Sequence, residues 1–344
     1  MLASGRVPGA LLFAGPDGVG KRTLAIMLAK ALVCEHGPLD FCGECARCQK
    51  ADQMFAAAHE DLERRREIKE AARRVEGLAS FDLQIVEPLT RYILTEQIRQ
   101  VRALAYTRPF EFPRRVFILD DAQTIHWQAV DLLLKVLEEP PETTTFVLVC
   151  PNAYELRSTI RSRCLRVPFE PVDEALIKEL LARDRHLAGA EQTLAARVAG
   201  GSVGRAQAFD PAEYMRRRQP WVSFLDATAG HGAPAAKLDS RLLSESARAL
   251  AENREDFAET LKIGYTLLAD LLKILEDPAT DGIVNVDLGA SLPKWAGRLK
   301  LAGIEKLKAG LDQAYRLQTR NVNQQLGFEA LGVELTSDSG AGAR

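Results

Sequence analysis

The sequence predicts an α/β protein in which a parallel sheet surrounds a phosphate-binding loop, joined to a second half that is entirely helical. Three observations predict it. Strand, glycine loop and helix follow one another between Ala10 and Val33; apolar strand runs alternate with helical patterns to about residue 166; and from Asp173 onward no strand-like alternation of any length recurs.

The first strand is Ala10-Leu11-Leu12-Phe13-Ala14, and it runs straight into Gly15-Pro16-Asp17-Gly18-Val19-Gly20-Lys21-Arg22-Thr23. Thr23 to Val33 has helix-forming composition. Glycines let backbone N–H groups turn inward toward phosphate oxygens, a lysine reaches the outer phosphates, and the helix N-terminus adds partial positive charge. Gly15, Gly18, Gly20, Lys21, Arg22, Thr23 and two later acids, Asp120 and Asp121, are the candidate nucleotide-binding residues. The pattern departs from GxxxxGK[ST] at Arg22, where a hydroxyl that binds Mg²⁺ belongs. Thr23 lies one residue on, turned by roughly 100° on the helix, and does not replace it.

Directly after that helix come Cys34, Cys42, Cys45 and Cys48. The CxxCxxC core brings three thiolates round one tight turn, and Cys34 can close a tetrahedron that suits a structural Zn²⁺. The alternative is four unrelated thiols in a reducing compartment. His36 and His59 read as solvated loop residues. Cys150 and Cys164 stand apart, at a buried strand position and a strand edge.

The remaining strands are placed at Leu83 to Val86, Arg115 to Leu119, Thr145 to Cys150 and Leu165 to Val167. Glu63 to Arg74 alternates opposite charges three and four apart and reads as a solvated helix, with a basic recognition helix as the sharper alternative. Helices are expected at Glu174 to Arg183 and Glu191 to Ala199, followed by a hinge at Gly200 to Gly204. Further helices follow from Pro211 to Gln219, His231 to Leu250, Phe257 to Leu275 and Ile304 to Leu326. Ser337 to Arg344 reads as a disordered tail.

Val116-Phe117-Ile118-Leu119-Asp120-Asp121 is an apolar strand that delivers two carboxylates at its C-terminal end, a Walker B pattern at the ligand edge of an open sheet. Asp120 is expected to hold Mg²⁺ through water, and Asp121 to stand where related ATPases polarise the attacking water. Read alone, the pair has as its blander alternative an acidic cap for a helix beginning near Ala122.

With 344 residues, 47% hydrophobic and 27% charged, the chain has material for two or three soluble domains. A formal charge of −2 excludes a surface built wholly for nucleic acid. No apolar run is long enough to cross a bilayer, so a cytoplasmic location with no membrane partner is expected.

Three further motifs carry a family resemblance. Leu132-Leu133-Leu134-Lys135-Val136-Leu137-Glu138-Glu139-Pro140-Pro141, the strand Phe146 to Val149, and Ser158-Thr159-Ile160-Arg161-Ser162-Arg163-Cys164 together resemble the AAA+ subunits of the bacterial DNA polymerase III clamp loader. The cysteine module, His59-Glu60-Asp61 and Ile98-Arg99 are similar to theirs too, and the resemblance covers residues 5 to 208. It implies an AAA+ P-loop domain with a zinc module (1–167), a small helical lid (168–209) and an all-α collar domain for oligomerisation (210–336), before the tail (337–344).

It also implies that Arg163 acts in trans as an arginine finger on a neighbouring subunit's ATP, a role for which the planar, permanently charged guanidinium is suited. The blander alternative for Arg163 is an ion pair that holds the strand Leu165 to Val167 in place. Arg157 and Arg161 are weaker choices. Arg22, Asp121 in place of Glu, and Gly204 where motor subunits carry a sensor arginine all favour the delta-prime subunit, with weak or absent ATPase activity of its own. ATP or ADP with Mg²⁺ is then held loosely if at all. The polar sensor expected after Val149 falls within Cys150-Pro151-Asn152. Family members also usually carry a further segment before the one resembling Ser4 to Leu12, which helps enclose adenine.

The implied partners are the gamma/tau motor subunits, the delta subunit, and, through the assembled complex, the sliding clamp and primer-template DNA. A motor subunit of the same machine is the alternative. A P-loop small-molecule kinase with a zinc-stabilised lid is a more distant one.

Overall fold

The computed structural model describes residues 7–37, 40–70, 73–75, 81–229, 239–252, 256–318 and 322–337. They form two compact units: residues 7–172 with Gly201–Gly204, and residues 173–200 with 205–337.

In the first unit, strands β1 (Ala10–Ala14), β2 (Leu83–Val86), β3 (Arg115–Leu119), β4 (Thr144–Cys150) and β5 (Leu165–Pro168) form a five-stranded sheet of order β2-β3-β4-β1-β5, and every pairing is parallel. β1, β3 and β4 are buried along their whole length. Such strands read as continuous apolar runs because both faces are covered by helices.

One face packs Leu12, Phe117, Leu119, Phe146 and Leu148 against Ile98 and Val101 of α3 (Thr95–Ala105) and Leu133 and Val136 of α4 (Val130–Glu138). The alternate residues Leu11, Phe13, Val116, Ile118, Val147 and Val149 pack against Ala25, Ala29 and Val33 of α1 (Lys21–Val33) and Ala51 and Phe55 of α2 (Ala46–Glu67). With all strands parallel, their carboxyl ends share one edge, which carries Gly15, Glu87 and Asp120, the last two from adjacent strands. β5 is an exposed edge strand next to the short α5 (Ser158–Arg161).

The second unit holds α6 (Glu174–Arg185) and α7 (Gly189–Ala199), then α9 (Pro211–Ala229), α10 (Ser240–Ala251), α11 (Phe257–Glu276), α12 (Leu292–Leu317) and α13 (Gln324–Ser337); α8 (Val203–Ala208) begins in the first unit and ends in the second. Its core gathers Trp221, Phe224, Trp295, Leu267 and Phe328. Asp270, fully buried, accepts the backbone N–H groups of Val284 and Asn285 and the Asn285 side-chain amide, so neither carboxylate oxygen is stranded in the core. No helix among the described residues is long and apolar enough to cross a membrane.

Most elements sit where the sequence places them, and the exceptions are instructive. The charged segment does not run as one solvated helix to Arg74: α2 ends at Glu67 and a 3-10 turn occupies Arg73–Val75. Arg74 reaches back to the Ile68 carbonyl at 2.6 Å and the Leu89 carbonyl at 2.6 Å, while Arg65 is buried and donates to Arg74's carbonyl. These arginines tie down chain ends rather than face solvent. Ala71 and Ala72 lie outside the described residues.

Ile304 to Leu326 divides between α12 and α13, around residues 319–321, which lie outside the described set. The expected helix from His231 is described only from Ser240, and the tail beyond Ser337 also lies outside. Where one helix near Ala122 is expected, two 3-10 turns precede α4, because Ile125 (ψ 122°) and His126 (ψ 137°) are extended and break the run.

Candidate phosphate-loop site and cysteine cluster

β1 ends at Ala14, and Gly15 turns the chain away from Phe169. A Cβ at Gly15 would lie 2.1 Å from the Phe169 carbonyl oxygen, so only glycine fits there. Gly20, at φ 95°, starts α1. Lys21 is buried, and its ammonium donates to the Gly15 and Pro16 carbonyls, each at 2.6 Å, with Asp17 at 3.5 Å. Gly204 meets the loop with its backbone: its N–H donates to the Gly18 carbonyl at 2.9 Å. The position where a sensor arginine is expected in motor subunits therefore presents an amide.

Arg22 points across to the acidic strand ends. Its guanidinium donates to Asp120 Oδ2 at 3.2 Å and is ion-paired with Glu87. β2 and β3 are paired with Val86 beside Leu119, which sets Glu87 and Asp120 next to each other at the sheet edge. Arg66 of α2 donates to the other Glu87 oxygen at 2.7 Å. A chain of alternating charge thus runs Arg66, Glu87, Arg22, Asp120. Burial pushes the Asp120 carboxyl above its ordinary value; the charges of Asp121 and Glu87 push the same way and the Arg22 guanidinium opposes them.

Mg²⁺ asks for an octahedron of oxygens at about 2.0–2.1 Å. Here the residue that should supply a hydroxyl is a cation, and its guanidinium already lies against the carboxylate that should hold the metal. The residues present do not fit Mg²⁺. Asp121, exposed and left-handed, accepts from the Gln123 amide at 3.2 Å. Thr23 is exposed, as its one-residue offset predicts. In the segment after β4, Asn152 accepts the Tyr154 N–H at 3.0 Å and caps a 3-10 turn, while Cys150 is buried.

The cysteines converge. Cys34 and Cys42 sulfurs are 3.8 Å apart, and Cys42 and Cys48 are 4.0 Å apart. A tetrahedron with Zn–S bonds of about 2.3 Å has edges of about 3.8 Å, so the spacing fits the ion. The Cys45 N–H donates to the Cys42 sulfur at 3.3 Å and, with that of Glu44, draws the Cys42 thiol down to about 7. The N–H groups of Glu35 and Cys48 lower Cys45. Burial pushes Cys48 up to about 12 as a free thiol.

His36, expected in a solvated loop, lies with Cys34, Cys42 and Cys45, their ligand atoms within 4.8 Å of one another. The group can therefore bind zinc through a Cys/His set. Cys45 also caps α2, so the cluster fixes the start of the helix that carries Arg66.

Arg163 donates to Glu138 Oε1 at 2.5 Å, the Thr159 carbonyl at 2.9 Å and the Ser162 hydroxyl at 3.3 Å. It is about one-third exposed, beside the edge strand β5. Arg161 lies over the exposed Tyr154 ring at 4.8 Å, with Arg166 at 5.8 Å. Sequence reasoning missed Glu87, Arg66, His36 and Glu138. Glu87 alone had a legible signal, an acid directly after a buried strand.

The family model described as DNA polymerase III, delta subunit, matches residues 1–173. The chain is 30% identical over 184 residues to DNA polymerase III subunit tau of Bacillus subtilis, covering 53% of this chain and 28% of that protein. It is 29% identical over 176 residues to subunit delta' of the same organism, covering 51% of this chain and 46% of that one. The chain thus matches less than half the length of either relative. A gamma subunit-related protein of Thermotoga maritima has a solved structure that aligns with 96% of each chain at 16% identity and a TM-score of 0.40. The half of the chain that carries the loop, the acidic strand ends, the cysteine cluster and Arg163 is the half that the family model covers, and the chain belongs to the AAA+ clamp-loader family of DNA polymerase III.

Proposed function

We propose that this chain is a delta-prime-type subunit: it assembles with gamma/tau motor subunits and the delta subunit, hydrolyses little or no ATP itself, and supplies Arg163 as a finger to a neighbouring ATP site. The observation that carries this reading is the Arg22 guanidinium against Asp120 and Glu87, where a hydrolysing site needs a hydroxyl and a metal. Gly204 and Asp121 at the sensor and water-polarising positions support it.

In this reading residues 1–167 form the nucleotide-binding-like domain, residues 168–209 form the lid, and residues 210–336 form the collar. Exposed apolar side chains on α12 and α13, among them Leu301, Tyr315 and Leu326, suit a helical collar that packs against other subunits. Zinc on Cys34, Cys42, Cys45 and Cys48 braces the first domain. Primer-template DNA and the sliding clamp are met through the assembled loader in the cytoplasm, the DNA mainly by its phosphates.

The test is DNA- and clamp-stimulated ATP turnover by the reconstituted loader. Arg163→Ala should lower turnover at the dependent site by roughly 10³-fold or more while assembly stays intact, and the isolated chain should be silent. Hydrolysis by the isolated chain together with a dispensable Arg163 would sink the reading. The names of the gamma/tau relatives favour a second one, a motor subunit active in cis. That reading requires loader turnover to fall when Lys21 is changed to Ala.

A further inference from the structure

We infer that Arg22 is the resident cation of the loop site: it excludes a divalent metal from Asp120, so any anion the loop accepts is taken without Mg²⁺. Asp120 and Glu87 are both largely buried at adjacent strand ends, and Asp121 follows. Two carboxylates brought this close out of water need positive charge between them, and in a metal-dependent site a divalent ion supplies it.

Here one guanidinium bridges both. It is permanently charged, planar and covalently held on the first turn of α1, and unlike a metal ion it cannot leave with a product or be chelated. The second Glu87 oxygen accepts from Arg66 at 2.7 Å, and the first, which accepts no hydrogen bond, lies against the Arg22 guanidinium as an ion pair. Asp120 Oδ1 accepts the Asp121 N–H at 3.1 Å, and Oδ2 faces Arg22. Asp120 and Glu87 therefore each face a cation that is part of the chain.

The consequence is directional. Removing the charge at position 22 leaves two carboxylates facing each other, and a divalent cation becomes the cheapest way to separate them. Arg22→Thr also restores the hydroxyl that the loop pattern lacks. The inference shares with the proposed function the reading of this site as non-hydrolytic but is independent of Arg163, so it is tested on the isolated, zinc-loaded chain, where neither assembly nor turnover enters.

The experiment titrates Mn²⁺ and reads the free ion by electron paramagnetic resonance. Wild type should leave Mn²⁺ free; Arg22→Thr should take it up, and adding Asp120→Asn should abolish that uptake. Arg22→Gln, closer in size, gives the same readout if the threonine variant does not fold. Mn²⁺ bound by wild type and released by Asp120→Asn would overturn the inference. So would a folded Arg22→Thr or Arg22→Gln chain that still leaves Mn²⁺ free, because something other than the guanidinium would then be excluding the metal.

Discussion

The two ends of β3 carry the same pair of residue types and use them in opposite ways. At the start, Arg115 and Asp82 are both fully buried and their side chains meet at 2.9 Å. At the end, Asp120 faces Arg22, which is 38% exposed, at 3.2 Å. Burial alone would raise both carboxyls. For Asp82 the N–H groups of Glu111 and Phe110, the Arg115 guanidinium and the N–H of Phe112 outweigh it, and the carboxyl lies below its ordinary value. For Asp120 nothing comparable answers burial, two further acids crowd it, and it lies above.

The first pair is a closed structural joint whose every group is satisfied. The second lies at the ligand edge, and its arginine is partly exposed. An Arg–Asp contact thus says little until the other partners of the carboxylate are counted.

The largest test of this contrast is Asp82→Ala. It strands Arg115 in the core and leaves the Phe110, Glu111 and Phe112 amides without an acceptor, so a loss of about 3–5 kcal/mol is expected by urea denaturation. Replacing both partners with apolar residues, Asp82→Leu with Arg115→Met, should not restore stability, because those amides remain unpaired. Full recovery would show that the carboxylate matters only to Arg115.

Zinc should separate the two ends. The cysteine cluster fixes the start of α2, whose far end carries Arg66 to Glu87, whereas Asp82 and Arg115 make no bond to α2 among the described contacts. Cys45→Ser should lower zinc content and destabilise α2 by a few kcal/mol, a fraction of the roughly 10–16 kcal/mol typical of structural zinc binding. Hydrogen exchange should then quicken across Ala46–Glu67 and leave β3 near Arg115 protected. Within the cluster, Cys48→Ser should release zinc and His36→Ala should not; the reverse result would make His36 the fourth ligand.

Arg22→Ala is expected to shift stability by no more than about 1 kcal/mol, the range of partly exposed pairs. A loss as large as that of Asp82→Ala would erase the distinction between the two ends.

The smallest effect is on pH dependence, and its sign differs at the two ends. Asp82's contribution is complete above the ordinary value of 3.8 and is lost as pH falls through its lowered folded value. Asp120 keeps its proton longer in the folded chain, so its contribution falls as pH rises from 3.8 through its raised folded value. Melting curves across this acid range should therefore rise less steeply with pH in Asp82→Asn than in wild type, and more steeply in Asp120→Asn. Parallel curves for the two variants would mean that their environments are alike.

The fold was largely legible because buried parallel strands leave continuous apolar runs, and β1, β2 and β3 begin and end at the expected residues. The loop, its departure at Arg22 and the cysteine spacing were legible because each is a local pattern. The partners of Arg22 were not. Glu87 follows Val86 by one residue and lies sixty-five positions from Arg22 in sequence, and only the pairing of β2 with β3 brings it beside Asp120. His36 gave no signal, since an exposed histidine in a short loop reads the same whether or not the loop folds over three thiols. The charged helix misled for a related reason: opposite charges at helical spacing describe solvated helices well, and the carbonyls that recruit Arg65 and Arg74 belong to segments distant in sequence or beyond the helix end.

By itself, the sequence determined the parallel sheet, the phosphate loop with a cation where a hydroxyl belongs, the four thiols and the helical second half, because hydrophobic period and short-range spacing are properties of neighbouring residues. Which carboxylates that cation would neutralise was decided only by the tertiary structure. Electrostatic partners are chosen by proximity in a medium of low dielectric, and proximity between strand ends is set by sheet order and register, which no local pattern encodes.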